Sequence, residues 1–541
     1  MAQDADIAIV GGGPTGLMLA AELRLAGADA VVLERLPEIS QIPKGNGLFG
    51  QIVPMLDYRG LLDRFRAEAT YAGPVPQFGF GPLQLNFAPL GASPLHILAV
   101  PQRRLEQILD GYLCELGGRV RRGHEVVALS LPGDGSPAAL DVRGPDGGYQ
   151  VRARYIVGCD GAHSLVRKRA GIDFPGVTSS NIARIGRVSL PSVTIIPGTG
   201  EADVPGIGRV PLMATTRTPR GAYSLGPLAS LDKSAPPGVF IVHTREAGPG
   251  APADADSPMT LDELRESARR VLGTDLEMTD PQWLTRTVGN SRLADRFRAG
   301  PVLLAGDAAH LSGIGGSLNS GLLDTINLGW KLAAEAQGRA SEGLLDSYHT
   351  ERHLAGQRTI LQTRAQQALS ADGEYGEALR ELFGELMRYS EPLRHVGSMI
   401  EGSDVRYEMP GSGARPHPLT GRLAPDLRLA SGGDSRVAEL VRKARGVLLD
   451  LSGSGENVDF SGPGGGGMSG VLTANSALSR AASRWSDRVT VVAARPVVNP
   501  PPAGAILIRP DGYVAWAAGP ESVGQAAGLA EALQAWFGPP D

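Results

Sequence analysis

The run Asp6-Ile-Ala-Ile-Val10 ends in Gly11-Gly-Gly13-Pro-Thr-Gly16, and a helix-forming stretch, Leu17–Ala26, begins at once. Few folds accept that order. The chain must turn sharply at Gly11, bring bare backbone close to a ligand at Gly13, and pack the following helix tightly through Gly16. The helix then opens with unpaired N–H groups that favour phosphate. A second apolar run, Ala30-Val-Val-Leu33, ends at Glu34, 18 residues after Gly16. There a carboxylate can accept a hydrogen bond from a ribose hydroxyl. Strand, helix and strand predict a parallel βαβ unit that holds a dinucleotide, without saying which one.

A chain of 541 residues exceeds the size at which one hydrophobic core keeps growing, so two or three domains are expected. Its 52 basic and 57 acidic residues are well mixed, for a net charge of −5. No basic footprint for nucleic acid or for a membrane surface is present. The most apolar runs, such as Ile7–Val10 and Val302–Ala305, are strand-length and too short to span a bilayer. The first apolar run leads directly into the glycine turn with no basic segment before it, unlike a signal peptide. Cys114 and Cys159 stand far apart with no C-x-x-C or zinc-type spacing, so no metal site is expected. Together these features predict a cytoplasmic protein.

A helix is predicted at Arg103–Leu116, with antiparallel strands around Val120–Leu131 and Ala139–Val142. From about residue 176 to 290 the texture becomes Pro/Gly-punctuated strands with one helix, Leu261–Leu272, which predicts an inserted, substrate-facing sheet domain. The parallel texture returns at Pro301–Asp307, followed by a helix at Gly321–Ala334 and further helices to about 400. A Pro/Gly-rich linker is expected at 409–424. Residues 425–541 read as helix (Val437–Ala444), strand (Gly446–Leu451), loop, strand (Val489–Ala493), strand (Ala505–Ile508), strand and helix (Ser522–Trp536). That order suggests a small α/β unit of thioredoxin-like type, without the redox cysteine pair.

Two more stretches share the grammar of the first. Tyr155-Ile-Val-Gly-Cys-Asp160-Gly161 is an apolar run ending in Asp-Gly, with Arg167 in the helix start beyond it. Leu303-Leu-Ala-Gly306-Asp307 is an apolar run ending in Gly-Asp, with a glycine-laden loop and a helix after it. In open α/β sheets ligands sit at the carboxyl ends of strands, where such an Asp can hold a sugar or ribityl hydroxyl. Gly465-Gly-Gly467-Met-Ser-Gly470 matches G-x-G-x-x-G in form only. No strand leads into it, and it reads as a loop.

Taken together, the dinucleotide fingerprint, the Asp160-Gly161 motif with Arg167, and Gly306-Asp307 resemble the class A flavoprotein aromatic hydroxylases typified by para-hydroxybenzoate hydroxylase. Val100-Pro-Gln-Arg-Arg-Leu-Glu106 and Asn327-Leu-Gly-Trp-Lys-Leu-Ala333 add to the match. Ile508-Arg-Pro-Asp-Gly-Tyr-Val-Ala-Trp516 is similar to the C-terminal domain of the subset acting on polycyclic polyketides, including angucycline-type pathways. The resemblance implies an α/β architecture: a Rossmann-like FAD-binding domain (1–175 and 291–408), an inserted β-sheet substrate domain (176–290) and a thioredoxin-like C-terminal domain (425–541).

It further implies FAD as cofactor. The ADP part would lie on Gly11, Gly13, Pro14, Thr15, Gly16, Glu34 and Arg35, with Gln102 and Arg103 lining the adenosine side. Gly306 and Asp307 would meet the ribityl or pyrophosphate, and the loop Gly313–Asn319 would lie against the isoalloxazine, so that Gly315, Gly316, Ser317, Leu318 and Asn319 touch it. Asp160 and Arg167 belong to a motif linked to both FAD and NAD(P)H, and Lys44 stands near the flavin. The implied activity is an NAD(P)H-consuming monooxygenase that activates O2 as a flavin C4a-hydroperoxide and hydroxylates a polycyclic aromatic polyketide in antibiotic biosynthesis. A homodimer is compatible with this picture.

The chain departs from the family pattern at two places. The flavin loop is shortened to Ser312-Gly-Ile-Gly-Gly-Ser317, without the usual proline and glutamine, and Lys44 stands where relatives usually carry Arg. Baeyer–Villiger insertion or ring opening of a polycyclic quinone by the same cofactor is therefore kept as an alternative. A flavin redox protein without oxygenase activity is the third. Lys44 and His310 are the candidate catalytic side chains, His310 being read first as a structural hydrogen-bonder beside the flavin. His96, His243 and Trp283 are expected in core or cleft walls.

Overall fold

The computed structural model describes residues 2–42, 45, 47–132, 136–246, 257–313, 316–411, 413, 415–431, 433–452, 477–498, 500–520 and 528–540. Lys44, Gly315 and the glycine run at 465–470 lie outside the described residues.

β1 (Ala2–Val10) enters the glycine turn, and α1 (Pro14–Leu25) leaves it with proline at its first position. Proline fits there because that N–H has no helical partner to lose. β2 (Ala30–Glu34) pairs with β1 in parallel, Ile7 opposite Ala30. α2 (Gln102–Glu115) packs on α1, and β3 (Gly147–Gly158) lies parallel to β1 on its other side.

The chain then leaves this sheet for the middle sheet. Its main strands are β4 (Gly176–Ser189), β5 (Gly221–Pro227), β6 (Val239–Glu246) and β7 (Thr279–Leu293), all antiparallel, with α3 (Leu261–Leu272) between the last two. α3 occupies the predicted span. Thr260 caps its start and left-handed Gly273 (φ 82°) ends it.

β8 (Val302–Leu304) returns to the first sheet beside β3, Ile156 opposite Val302, again parallel. α4 (Ser317–Ala336) begins four residues before the expected Gly321, because Gly316 in the left-handed region (φ 92°) turns the chain into the helix. α5 (Asp346–Leu369) and α6 (Glu374–Leu386) follow.

The C-terminal unit builds a sheet from β9 (Gly446–Asp450), β10 (Val489–Ala493), β11 (Ala505–Ile508) and β12 (Val514–Ala518), in the order β10-β9-β11-β12. β9 and β10 are parallel, and the other two pairings are antiparallel. α7 (Leu529–Phe537) covers it. The helix expected over 437–444 covers only Val437–Leu440, and Ala444 adopts a positive φ of 49°.

The stretch 409–424 is no free linker: Met409 and Thr420 are buried, and Leu423 bridges to Tyr513. Buried ion pairs weld the C-terminal unit to the first. Arg509, fully buried, grips Glu351 of α5 and Asp511, while Lys331 of α4 donates to the same Glu351 at 2.9 Å. Nearby, Arg59 holds Glu22 of α1 at 2.6 Å and donates to the Pro510 carbonyl at 2.8 Å. The Arg509 guanidinium also lies 4.2 Å from the centre of the Trp536 ring. No described helix is long and apolar enough to cross a membrane.

Candidate FAD and substrate site

Sheet order does what sequence distance conceals. Along the first sheet the strands run β8-β3-β1-β2, so their carboxyl ends place Gly306, Asp160, Gly11 and Glu34 side by side. Neighbouring strands are about 4.8 Å apart. Backbone hydrogen bonds lace these ends together: Gly11 N–H to the Leu33 carbonyl, Cys159 N–H to Val10, and Ala305 N–H to Gly158, at 2.8, 2.8 and 3.0 Å.

The three glycines of the turn meet different demands. A Cβ on Gly11 would lie 2.3 Å from the Cys159 carbonyl oxygen, and its φ of +106° already disfavours a side chain. A Cβ on Gly16 would lie 1.9 Å from the Gly11 carbonyl oxygen, so helix and turn touch there. A Cβ on Gly13 would meet nothing within 4 Å. Gly13 is bare although the protein leaves room, which fits a ligand approaching from outside. No side chain caps the N-terminus of α1 there, so its first N–H groups stay available to an anion.

Gly306 completes the cradle. It has a φ of +64°, and a Cβ on it would lie 2.6 Å from Thr15 Oγ1, while one on Gly321 would lie 3.0 Å from the Gly306 Cα. The two glycine-bearing turns, some 290 residues apart, are thus in contact through Thr15. The Asp307 side chain is exposed at this junction. The Glu34 carboxylate accepts hydrogen bonds from Gly12 N–H (2.6 Å) and Leu36 N–H (2.9 Å), which fixes it under the turn. Each oxygen keeps a second lone pair for a sugar hydroxyl. Arg35 is exposed just beyond. The open Gly13 face, the uncapped helix and the exposed Asp307 fit the pyrophosphate and sugars of FAD.

Asp160 and Arg167 brace this edge from below. Asp160 Oδ2 accepts from Leu165 N–H (2.7 Å) and Val166 N–H (3.1 Å), while its buried Oδ1 has no partner. Buried Arg167 donates to the Ala308 and Ala162 carbonyls, each at 3.0 Å, and stacks 3.9 Å from the centre of Phe174. Its fork ties the Asp-Gly turn to the Gly-Asp turn.

Past Asp307 the loop is closed internally, Ser312 N–H donating to Ser317 Oγ at 2.9 Å. Asn319 Oδ1 accepts from Phe49 N–H (2.9 Å), and Gln102 Oε1 accepts from Gly45 N–H (3.3 Å), while Gly45 also approaches Leu318. Gln102 and Leu318 therefore meet Gly45, and Asn319 meets Phe49. The N-terminus of α4, at Gly316, is a second uncapped helix start.

The sequence did not single out Asp324, which anchors this end. Fully buried on α4, it accepts from Gly306 N–H (3.1 Å), His310 Nε2 (2.6 Å) and Arg352 Nε (2.8 Å). Burial alone would raise its carboxyl, but His310 and Arg352 outweigh that and hold it below the ordinary range. His310 is buried and acts here as a hydrogen-bonder that positions the turn. The only clue available in the sequence was a carboxylate set inside the apolar run Leu322-Leu-Asp-Thr-Ile326.

The middle sheet supplies the facing wall. Phe240, Val242 and Leu264 pack together on its α3 side. Strand alternation then turns Arg187, Ile241, His243, Arg245 and Trp283 to the opposite face, with Arg187 opposite both Ile241 and Trp283. Arg217, on the same face, donates to the Ser370 carbonyl and Asp372 beyond the end of α5. Burial, with Arg245 beside it, pulls the His243 imidazole down to about 4, so it is neutral at ordinary pH. Arg187 Nε is buried without a partner. His96, by contrast, is exposed at the start of a short strand and not in the core. The strand itself is the middle one of three and its Leu98 is buried in the core, while His96 at its start stands exposed.

A cavity of about 180 Å³ adjoins the loop, reaching Ser312, Gly316, Phe49, Thr363 and Tyr407. A larger groove of about 700 Å³ lies at Asp4, Asp6 and Asp29–Val31, by the amino ends of the strands. That is the edge away from the three motifs, and we assign the site to the carboxyl edge.

Comparison with known proteins gives the family. Residues 4–363 match the family model described as "FAD binding domain", and residues 464–540 match "Aromatic-ring hydroxylase, C-terminal". The chain is 40% identical to a 12-dehydrotetracycline 5-monooxygenase/anhydrotetracycline 6-monooxygenase of Streptomyces rimosus, over 99% of each chain. It superposes on the structure of the anhydrotetracycline hydroxylase OxyS from that species with a TM-score of 0.82, at 37% identity and full coverage of both chains. CabE, an aromatic hydroxylase from angucycline biosynthesis, gives a TM-score of 0.82 at 36% identity, again covering both chains fully. The chain is an FAD-dependent monooxygenase and belongs to the FAD-binding aromatic-ring hydroxylases.

Proposed function

We propose that this enzyme hydroxylates a fused-ring phenol of the aromatic polyketide class, consuming NAD(P)H and O2, as a tailoring step in antibiotic biosynthesis. Full-length similarity to tetracycline and angucycline hydroxylases supports the substrate class. The observation that carries the reading is the inner face of the middle sheet. It offers a flat aromatic wall at Trp283 beside an Arg187 guanidinium whose buried Nε has no acceptor among the described residues. A polycyclic phenol fills that need, its rings against the indole and its oxygen at the cation.

FAD, when bound, supplies the oxygen transfer to the ring. Everything else falls to the chain. Gly13 and the start of α1 receive the pyrophosphate, with Glu34 and Asp307 for the sugars. The start of α4 offers N–H groups to the flavin end, and Asp324 keeps the Gly306 turn and α4 in register. Arg187 and Arg245 favour the ionised phenol, which makes the ring electron-rich. Neutral His243 accepts a hydrogen bond from a second substrate hydroxyl without adding a further positive charge. Asp160 and Arg167 act as positioning residues for the cofactor edge. We also read the C-terminal sheet as a thioredoxin-like arrangement, a parallel βαβ pair followed by an antiparallel hairpin and helix, used for packing and without disulfide chemistry.

Mass spectrometry of products from a panel of polycyclic phenols and quinones, run with the holoenzyme, NADH or NADPH and ¹⁸O2, tests the proposal. One ¹⁸O retained as a new phenolic hydroxyl supports it. A label in a lactone replaces it with Baeyer–Villiger insertion. Flavin that stays reduced in air with every substrate defeats both.

A further inference from the structure

Ile508-Arg-Pro-Asp-Gly-Tyr-Val-Ala-Trp516 takes no part in the chemistry proposed above. Its centre is the turn between β11 and β12, with Gly512 in the left-handed region (φ 79°) and Arg509 N–H donating to the Tyr513 carbonyl at 2.8 Å. Turns of this kind normally lie on the surface. Here Arg509, Asp511 and Tyr513 are all buried. Arg509 and Asp511 belong to the ion-pair cluster that welds the C-terminal unit to the first. Tyr513 reaches elsewhere.

Its hydroxyl donates to Oε1 of buried Gln51 at 3.0 Å. Gln51 stands at the start of the short helix Ile52–Tyr58, and its N–H donates to the Glu401 carbonyl at 3.0 Å. Two residues earlier, Phe49 N–H makes its 2.9 Å bond to Asn319 of α4. The Tyr513 ring also lies on the Tyr407 ring, with centroids 4.5 Å apart and planes inclined by 26°. The Tyr407 hydroxyl accepts from Arg352 Nη1 at 2.9 Å. That guanidinium in turn holds two points on α4, the Ser320 carbonyl at 3.1 Å and Asp324 at 2.8 Å. One side chain of the C-terminal unit therefore acts on both partners of the Phe49–Asn319 contact. It holds the 49–51 segment directly, and the first two turns of α4 through Tyr407 and Arg352.

The cavity of about 180 Å³ lies among these groups, lined by Phe49, Gln51, Gly316, Asn319, Tyr407 and Tyr513. Walls that face a space have no packing contacts across it, so their separation rests on the links around it. Burial pushes the Tyr513 hydroxyl well above its ordinary range and raises Tyr407 too, so both phenols stay neutral and the links persist at ordinary pH.

We propose that Tyr513 is a positioning residue for the flavin. With the start of α4 serving the flavin end, the reading on which this rests, Tyr513 sets from the C-terminal unit the spacing between the Phe49–Gln51 segment and that helix start. The positive end of a helix favours the electron-rich reduced flavin. A helix start free to recede favours it less, so loss of the link lowers the reduction potential.

The two-electron midpoint potential of the FAD-loaded full-length enzyme, titrated against a reference dye, tests this, together with visible circular dichroism of the bound flavin. Tyr513→Phe keeps the ring and its stack and removes only the hydroxyl. It should favour reduced flavin at least about threefold less than wild type, roughly 14 mV lower for a two-electron couple, with altered flavin dichroism. Gln51→Leu should act likewise, and the double variant should move no further than Gln51→Leu alone, because both break one link. Trp536→Phe disturbs the same unit beside Arg509 without touching the link, so it should lower the melting temperature and leave the potential at the wild-type value. An unchanged potential in Tyr513→Phe, additive shifts in the double variant, or an equal shift in Trp536→Phe would each overturn the proposal. Asn319→Ala, which frees Phe49 from α4 directly, tells its failure from that of the reading beneath it. A shift in Asn319→Ala with none in Tyr513→Phe rejects the role of Tyr513 alone. No shift in either removes the flavin from the start of α4 and rejects both.

Discussion

Gly13 and Gly16 are three residues apart in one turn, yet the structure assigns them opposite sensitivities. An alanine at Gly13 adds a methyl group that meets no protein atom within 4 Å. Its φ of −77° suits any L residue, so at this helix start the apoprotein should lose only a few tenths of a kcal/mol up to about 1. An alanine at Gly16 would put Cβ 1.9 Å from the Gly11 carbonyl oxygen, where contact needs more than 3 Å. Helix and turn must separate by over an ångström, an overpacking cost of about 1–3 kcal/mol or more to the apoprotein itself. If the pyrophosphate lies on Gly13, the order reverses for cofactor. Gly13→Ala should weaken FAD by at least about tenfold, roughly 1.4 kcal/mol, with a nearly normal apoprotein. Urea unfolding of deflavinated protein, followed by circular dichroism, reports the first quantity. FAD titration followed by quenching of flavin fluorescence reports the second. Wild-type FAD affinity in Gly13→Ala would refute the placement, and an unfolding midpoint for Gly16→Ala at or above that of Gly13→Ala would refute the packing argument.

Other sites give sharper or broader effects. Asp307→Ala should lower FAD occupancy of the purified enzyme, as absorbance at the flavin band would show. Asp324→Ala strips from buried Arg352 and His310 the carboxylate that binds both and should cost about 3–5 kcal/mol, with Asp324→Asn costing less. Arg509→Ala leaves Glu351 buried with Lys331 as its cation and Asn327 as a neutral donor, and should cost a similar 3–5 kcal/mol, whereas Arg509→Met combined with Glu351→Gln should recover part of it in thermal unfolding. Acidification should destabilise the fold for two reasons of the same sign. Glu351, held at about 2 because Arg509 and Lys331 outweigh the opposing effect of burial, contributes stability that is lost as pH falls from its ordinary 4.5 towards 2. His243, drawn by burial from 6.5 to about 4, takes up its proton in the unfolded chain first, so stability also falls between those values, by up to about 3 kcal/mol. His243→Gln should flatten the melting curve against pH between 6.5 and 4 and leave the lower limb intact.

The parts of this molecule that were legible in its sequence share one property: they are short, local and carried by residue types with few alternative uses. Gly11–Gly16 with Glu34, Asp160-Gly161 and Gly306-Asp307 each sit at the end of an apolar run, and a strand end is a place the sequence can mark. The residues that hold these ends together are of another kind. Asp324, Arg352, Glu22, Arg59, Glu351 and Arg509 are ordinary charged residues in ordinary helices and turns, and only the fold brings Arg59 to Glu22 or Arg509 to Glu351 across 37 and 158 residues. Periodicity reports which face of a helix is buried, never which distant charge it meets. The start of α4 was misjudged for a related reason, since a left-handed glycine can open a helix as well as close one.

The long separation of the two glycine-bearing turns follows from the topology itself. β3 and β8 are parallel neighbours, and parallel neighbours always need a crossover, for which a dozen residues or one helix suffices. This chain spends residues 159–301 on it. The middle sheet is therefore an enlarged crossover, tethered at both ends to strands whose carboxyl termini form the cofactor edge. Arg167 reaches back to the Ala308 carbonyl from one end of that excursion, and the short strand His310–Leu311 pairs with Arg292 and Leu293 at the other. A substrate wall built in this way cannot drift from the cofactor without breaking the sheet that holds both. It follows that substitutions on the Arg187–Trp283 face should change which substrate is oxidised while FAD stays bound, and those at the Gly306 junction should disturb both together.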